Sequence, residues 1–144
     1  MGSMPEAAGQ QNGVIQEKWG EALAAGFQVV PNVLIRAQSR LGLDAVDVVI
    51  LLNLMAHWWT KDARPFISPA RIAKRMNVAT RTVERHLKRL EERDFIKRSA
   101  PTRTGERIYI RHYDLTPLVG IMREASRTAL SERVRRAEQQ VQQV

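Results

Sequence analysis

The sequence predicts a mainly α-helical α+β fold that contains a small β-hairpin and has additional helices at both ends. A long apolar segment at residues 44–59 predicts a buried core helix, since almost no side of that helix would be polar. Ser68-Pro69 predicts the start of a short helix, with Ser as its cap and Pro in its first turn. Asn77-Val78 then predicts a tight turn into a second helix. Alternating apolar and polar residues at 107–113 predict a half-buried strand.

The N-terminal part is predicted to be an arm, residues 1–26, which begins with a tag remnant at residues 1–4. A short helix is expected at 15–24, where Trp19 and Leu23 lie four residues apart. The main domain is predicted at residues 27–115. It opens with an extended lead-in and a short helix from Pro31 that Gly42 ends.

The core helix at 44–59 is predicted to be capped by Asp44, and Asp47 adds negative charge to the first turn, where the helix dipole favours it. The Trp58-Trp59 pair has two interpretations, a platform for base stacking or packing in the core or at an interface. The apolar helix beside the pair favours packing.

The two consecutive helices are predicted to share one core. Ser68 caps the first, and Asn77 tolerates the left-handed backbone that a tight junction needs. In the second helix, from 79 or 80 to 93, Val83, Leu87 and Leu90 recur at helical spacing and face the core.

Two strands are predicted at 96–99 and 107–113, joined by a loop with Gly105 at its tip. Thr116-Pro117 then opens a last helix, so that residues 116–144 form a separate C-terminal segment. Apolar residues recur along it at heptad spacing: Leu130, Val134, Ala137, Val141 and Val144. This spacing favours a homodimer slightly over a helix packed along its own domain.

The positive charge is concentrated in the middle of the chain. Residues 61–111 contain fifteen basic and six acidic residues, within a total net charge of +8. Such a cluster suits a polyanion such as nucleic acid, because each cation placed against a phosphate releases a condensed counterion. The alternative is a solvated basic face that aids solubility.

Other function classes are disfavoured. The 144-residue chain has no cysteine and only three scattered histidines, so we expect no metal site and no cofactor. The sequence contains no nucleophile–base set and no phosphate-binding glycine loop, so we do not expect an enzyme. It also indicates no small-molecule ligand. The longest apolar run, 48–55, is too short to cross a membrane, and the lack of cysteine fits the bacterial cytoplasm.

The predicted order of elements is that of a winged helix-turn-helix, and residues 72–96 resemble the helix-turn-helix segment of bacterial winged-helix DNA-binding domains. With the flanking residues, the resemblance covers roughly 27–115 and is closest to plasmid and phage replication initiators and mobile-element transcriptional regulators. Ala79 stands where these domains usually have a Ser or Thr cap, which would move the cap to Thr80. Asp94 replaces their usual Gly, although Asp tolerates a left-handed backbone.

The resemblance implies that the second helix lies in the major groove. On its outer face, Arg81 and Arg85 are candidates for guanine contacts, with Thr80 and Glu84 as further base contacts. Phosphate contacts are expected from Thr82, Lys88 and Arg89, and from the preceding helix through Arg71, Lys74 and Arg75. In the hairpin, Arg103 and Arg107 are expected to reach the minor groove or its phosphates.

The sequence therefore predicts sequence-specific binding of double-stranded DNA at a palindromic or repeated site, most simply by a homodimeric transcriptional regulator. Two alternatives remain open. The chain is the DNA-binding domain of a plasmid or phage replication initiator, or it is a protein–protein adaptor built on a winged helix.

Overall fold

The computed structural model describes residues 6–105 and 108–143, and its architecture is α+β, mainly helical with small antiparallel strands. In chain order, the structure contains α1 (Glu6–Trp19), a 3-10 turn (Gly20–Leu23), α2 (Asn32–Arg36), α3 (Ala45–Met55), α4 (Pro69–Met76), α5 (Thr80–Glu92), β1 (Lys97–Arg98), β2 (Thr102–Thr104), β3 (Ile108–Ile110), β4 (Tyr113–Asp114) and α6 (Thr116–Gln142). The predicted winged helix-turn-helix with extra helices at both ends is thus confirmed.

The core lies between α3, α4 and α5 and is closed by the start of α6. Ile50, Leu51 and Leu54 of α3 are fully buried, as is Leu118 of α6. Asp44 caps α3 as predicted, since its carboxylate accepts the Asp47 amide at 2.8 Å. The Asp44 amide in turn donates to the Asp47 carboxylate, and this reciprocal capping box defines where α3 begins.

The predicted C-terminus of the core helix is wrong by four residues. The helix ends at Met55, because the amides of His57 and Trp58 turn to carbonyls three residues back. The Trp pair therefore lies beyond the helix. Trp58 is half-buried, but Trp59 is 76% exposed, which contradicts core packing for that residue.

Two expectations for the predicted two-stranded hairpin also change in detail. The predicted strand at 107–113 is divided, because β3 pairs with β2 whereas β4 pairs with β1. The predicted loop at 100–106 contains β2, and Gly105, which directly follows β2, has a φ of 75° that suits a hairpin tip. The β2–β3 hairpin is called the wing below.

Smaller corrections concern helix ends. The arm is helical from Glu6 to Trp19, earlier and longer than the predicted 15–24. The last helix begins at Thr116, and Leu115 occupies the position before it. The Thr116 amide donates to the Asp114 carboxylate at 2.9 Å. Among the described residues, no helix has the length and apolar character needed to cross a membrane.

Gly42 is required for the close approach between the α2–α3 connection and the end of α5. Its φ is 73°, and the Arg93 guanidinium donates to the carbonyls of Gly42 and Leu41, each at 2.7 Å. A Cβ at Gly42 would lie 2.5 Å from an Arg93 nitrogen.

We therefore expect Gly42→Ala to lower the free energy of unfolding by about 1–2 kcal/mol through backbone strain alone. Gly120→Ala in α6 is the matched control, since a Cβ there meets no atom within 4 Å. It should be stabilising by roughly 0.5–1 kcal/mol. Urea denaturation of both variants measures the difference, and equal effects would contradict the strain expected from the positive φ at Gly42.

Candidate nucleic-acid interface

The junction between α4 and α5 follows from three local signals. The Ser68 hydroxyl accepts the Arg71 amide at 3.2 Å at the start of α4. Asn77 takes the predicted left-handed conformation, φ 55°, and lets the chain turn at once into α5. The residue before α5 is Ala79, with no side-chain cap, so the predicted shift of the cap to Thr80 is wrong. Thr80 instead occupies the first turn of the helix.

One face of α5 is fixed by burial, as predicted. Val83, Leu87 and Leu90 are at most 1% exposed. The opposite face is consequently presented to solvent, and it contains all four predicted base-contacting residues: Thr80, Arg81, Glu84 and Arg85. Lys88, predicted to contact phosphate, is also exposed, whereas Thr82 is half-buried.

The basic residues of the exposed α5 face are not neutralised locally. Within residues 6–105 and 108–143, no ion pair or hydrogen bond involves the side chains of Arg81, Arg85 or Lys88. These three cations are exposed, on one side of one helix, and available to an anionic partner. That combination is the main electrostatic feature of the interface.

Two acidic residues of α5, Glu84 and Glu91, pair with a strand rather than with their own helix. The Arg98 guanidinium of β1 lies 3.3 Å from Glu91 and 3.6 Å from Glu84, and its side chain is only 8% exposed. Burial alone would raise the pKa of Glu91, but the hydrogen bonds and charge of Arg98 hold it below its usual value. Glu84 is thereby drawn towards the strand, a role that the sequence did not predict.

Arg89 also has structural partners. Its guanidinium lies 3.3 Å from Asp47 and 3.7 Å from Asp44, both near the start of α3. His86 Nδ1 lies 2.7 Å from the fully buried Asp47 carboxylate. Burial would raise the pKa of Asp44, but the Asp47 amide and the charges of His86 and Arg89 together lower it. We call Asp44, Asp47, His86 and Arg89 the α3–α5 ion cluster.

Two carboxylates and a histidine in this cluster have ligand atoms within 4.8 Å of one another, a spacing at which a metal ion could be held. The carboxylate oxygens are nevertheless already bonded to His86 and Arg89, and the guanidinium places positive charge beside them. Their arrangement is that of an ion-pair network that ties α5 to α3, whereas the sequence predicts only a helix-dipole role for Asp47.

The α4 candidates, Arg71, Lys74 and Arg75, are all exposed on the helix before the turn. Arg75 is oriented by Asn53 Oδ1 at 3.2 Å and His57 Nε2 at 3.3 Å. Desolvation, followed by the charges of Arg75 and Arg71, lowers the pKa of His57. This shift favours the neutral imidazole, which can accept a hydrogen bond from Arg75.

In the wing, Arg103 is exposed and donates through Nε to the Gly105 carbonyl at 3.1 Å. Arg107, the second wing candidate, lies outside the described residues. Tyr109 is 65% exposed on β3. The sequence predicts no role for Tyr109, although a large exposed aromatic residue on the wing is itself a signal of a binding surface.

Known proteins were compared with the chain. No curated protein matches it. The N-terminal domain of the DnaD protein from Geobacillus kaustophilus HTA426 is similar in structure, with a TM-score of 0.58 and 25% sequence identity over 83% of this chain and 96% of that chain. The family model of the DnaD N-terminal domain matches residues 30–129, well over half of the sequence. The chain therefore belongs to the DnaD N-terminal domain family.

Proposed function

We propose that this chain is a DNA-binding domain of a replication-initiation protein, which contacts double-stranded DNA through the exposed face of α5 and through the wing. The observation that carries the proposal is the set of three exposed α5 cations, Arg81, Arg85 and Lys88, which have no ion-pair partner among the described residues. Neighbouring arginines at 89, 93 and 98 are by contrast engaged in contacts within the fold.

Family membership favours replication over the transcriptional regulation that the sequence first suggested. The DnaD N-terminal domain belongs to replication-initiation proteins, and nothing in the comparisons supports a transcriptional regulator. The alternative function, a replication protein that binds DNA, is therefore the one we adopt. We propose that the domain acts by binding and not by catalysis.

Individual roles follow from position. Arg81 and Arg85 are proposed to contact base edges, with Thr80 beside them at the start of the helix. Glu84 is a weaker candidate for base contact than the sequence suggested, because Arg98 competes for its carboxylate. Phosphate contacts are proposed for Lys88, Thr82 and the three α4 residues, and for Arg103 and Arg107 of the wing. Arg89 would reach phosphate only by leaving the α3–α5 ion cluster.

The proposal is tested by measuring the association constant for a labelled duplex by fluorescence anisotropy. The salt concentration is varied from about 50 to about 300 mM, a range that includes physiological ionic strength. Each phosphate contact should lower the logarithm of the association constant by about 0.9 per logarithm of salt concentration. We expect a slope that corresponds to several such contacts. Binding no greater than background at the lowest salt would favour the protein–protein adaptor instead. A footprint on an origin, and none on a promoter, would separate replication from transcriptional control.

The predicted homodimer through α6 stays a prediction. Leu130, Val134 and Val141 of the heptad pattern are 56%, 58% and 75% exposed, so these side chains are available to a partner helix. Val144, the last member of the pattern, lies outside the described residues. We expect sedimentation to give a dimer mass for the whole chain and a monomer mass after removal of residues 131–144. A monomer mass for both would contradict the α6 dimer.

A further inference from the structure

A large groove lies on the side of the domain formed by the 27–33 segment, α2, the end of α3 and α6. Its volume is about 1190 Å³, which exceeds the 300–1,000 Å³ of ordinary small-molecule pockets. Its floor is apolar and mostly aliphatic, and it consists of buried or half-buried side chains: Met55, Ala56, Trp58, Met122, Ala125 and Ala129. A site of this size and character suits a macromolecular segment better than a small ligand.

The walls of the groove are held by specific contacts. Gln28 Nε2 donates to the Leu52 carbonyl at 3.2 Å, which ties the 27–33 segment to α3. Arg40 lies 3.4 Å from Glu132, which joins the connection after α2 to α6. The groove is therefore a formed feature of the domain, available before a ligand binds.

Large apolar side chains around the groove are left in solvent. Val29 is 81% exposed, Trp59 76%, Leu130 56% and Phe27 55%. Single exposed apolar residues are ordinary, but four of them around one groove mark an interaction surface. Exposed tryptophan and phenylalanine are also the residue types that most often anchor protein–protein contacts.

The charge around the groove is almost entirely positive. Five arginines line the groove: Arg36, Arg40, Arg123, Arg133 and Arg136. Among the described lining residues, the one acidic residue is Glu132, which is already paired with Arg40. An occupant with an apolar face and acidic flanks would satisfy both the apolar floor and this basic rim.

Segments of the chain itself fit this description poorly. In α1 only Val14, Ile15 and Trp19 are large apolar residues, too few to fill the groove. The second half of α6 is not free to fill the groove, because its own Leu130, Arg133 and Arg136 line it. Single-stranded nucleic acid stacks on exposed aromatic platforms, but Trp58 is half-buried and most of the floor is aliphatic, while Phe27 and Trp59 lie at the exposed margin.

We propose that this groove binds an acidic amphipathic helix of another protein. The apolar residues of that helix, spaced at i, i+3/i+4 and i+7, occupy the groove beside Trp59, and its carboxylates face the arginine rim. The site is separate from the exposed face of α5, so the proposal stands or falls independently of DNA binding.

The test uses a fluorescein-labelled 20-residue helical peptide with leucine and tryptophan on one face and glutamate elsewhere, and a second peptide in which lysine replaces glutamate. We expect micromolar binding of the glutamate peptide to the whole chain, and at least tenfold weaker binding of the lysine peptide. Trp59→Ala and Arg133→Glu should each weaken binding of the glutamate peptide about tenfold. Arg127→Glu, on α6 but outside the groove lining, and Arg81→Ala, on α5, should leave it unchanged.

Three outcomes would overturn the proposal. The first is equal binding of the two peptides, or binding that depends on Arg81 and not on Trp59. The second is displacement of the peptide by a thymidine 20-mer whose own binding is lost in Trp59→Ala, which would assign the groove to single-stranded DNA. The third is a dimer of the unmodified chain that Trp59→Ala converts to a monomer, which would make the groove an interface between two copies.

Discussion

Replacing Arg85 by alanine is expected to weaken binding to the preferred duplex by about 1–3 kcal/mol, and to relax the choice of base at one position of the site. Arg85 is exposed on the outer face of α5, one turn from Arg81, and arginine is the side chain that most often makes bidentate contacts with guanine. The measurement is duplex anisotropy on a sequence selected from a random library and on its single-base variants.

Arg127→Ala is the matched control for Arg85→Ala. It removes the same charge from an exposed helix, but its guanidinium lies 3.3 Å from Glu124 on α6, away from the proposed interface. We expect a change of less than threefold for this control. Equal loss on selected and random duplexes in Arg85→Ala would instead place Arg85 among the phosphate contacts.

Replacing Asp47 by alanine should be the most destabilising single change at the α3–α5 ion cluster, with a loss of about 3–5 kcal/mol in the free energy of unfolding. The Asp47 carboxylate is fully buried and accepts a hydrogen bond from the Asp44 amide. It also forms ion-pair contacts with His86 and Arg89. Its removal leaves the His86 ring buried without this partner and breaks the capping box of α3.

Asp62→Ala provides the comparison for Asp47→Ala, because Asp62 is exposed and outside the cluster. It should change stability by no more than about 0.5 kcal/mol. Urea denaturation of both variants gives the two values. A loss below about 1 kcal/mol for Asp47→Ala would show that the cluster does not hold α5 against α3.

Much of the fold was predictable because its signals are local. Ser68 and Asp44 cap their helices, and Asn77 and Asp94 take positive φ values of 55° and 60°, as these residue types allow. Helical periodicity likewise identified the buried face of α5. Such features depend on residues within one turn of each other.

The errors arose where long-range contacts decide. No residue near Trp59 in the sequence indicates that α3 ends four residues earlier. Nor does the local sequence show that the Trp59 indole lies exposed at the edge of a groove. The division of the second predicted strand depends on β1 pairing with β4 across the wing. The contacts of Asp47 with His86 and Arg89 join residues about forty positions apart, so no local pattern could announce them.

The candidate site was predicted in part. The exposed face of α5 follows from its buried face, so Thr80, Arg81, Glu84 and Arg85 were placed together from spacing alone. The sequence does not show which cations of α5 can contact an anionic partner. Arg89 and Glu84 have partners on α3 and β1, whereas Arg81 and Arg85 extend into solvent.

The central claim is that DNA contacts the exposed face of α5. Amide hydrogen exchange of the whole chain, with and without a duplex at low salt, tests it most directly. We predict slower exchange in residues 78–88 and in the wing, with no change along residues 131–142 of α6. Protection confined to α6 or to the groove, with the α5 region unchanged, would contradict the account.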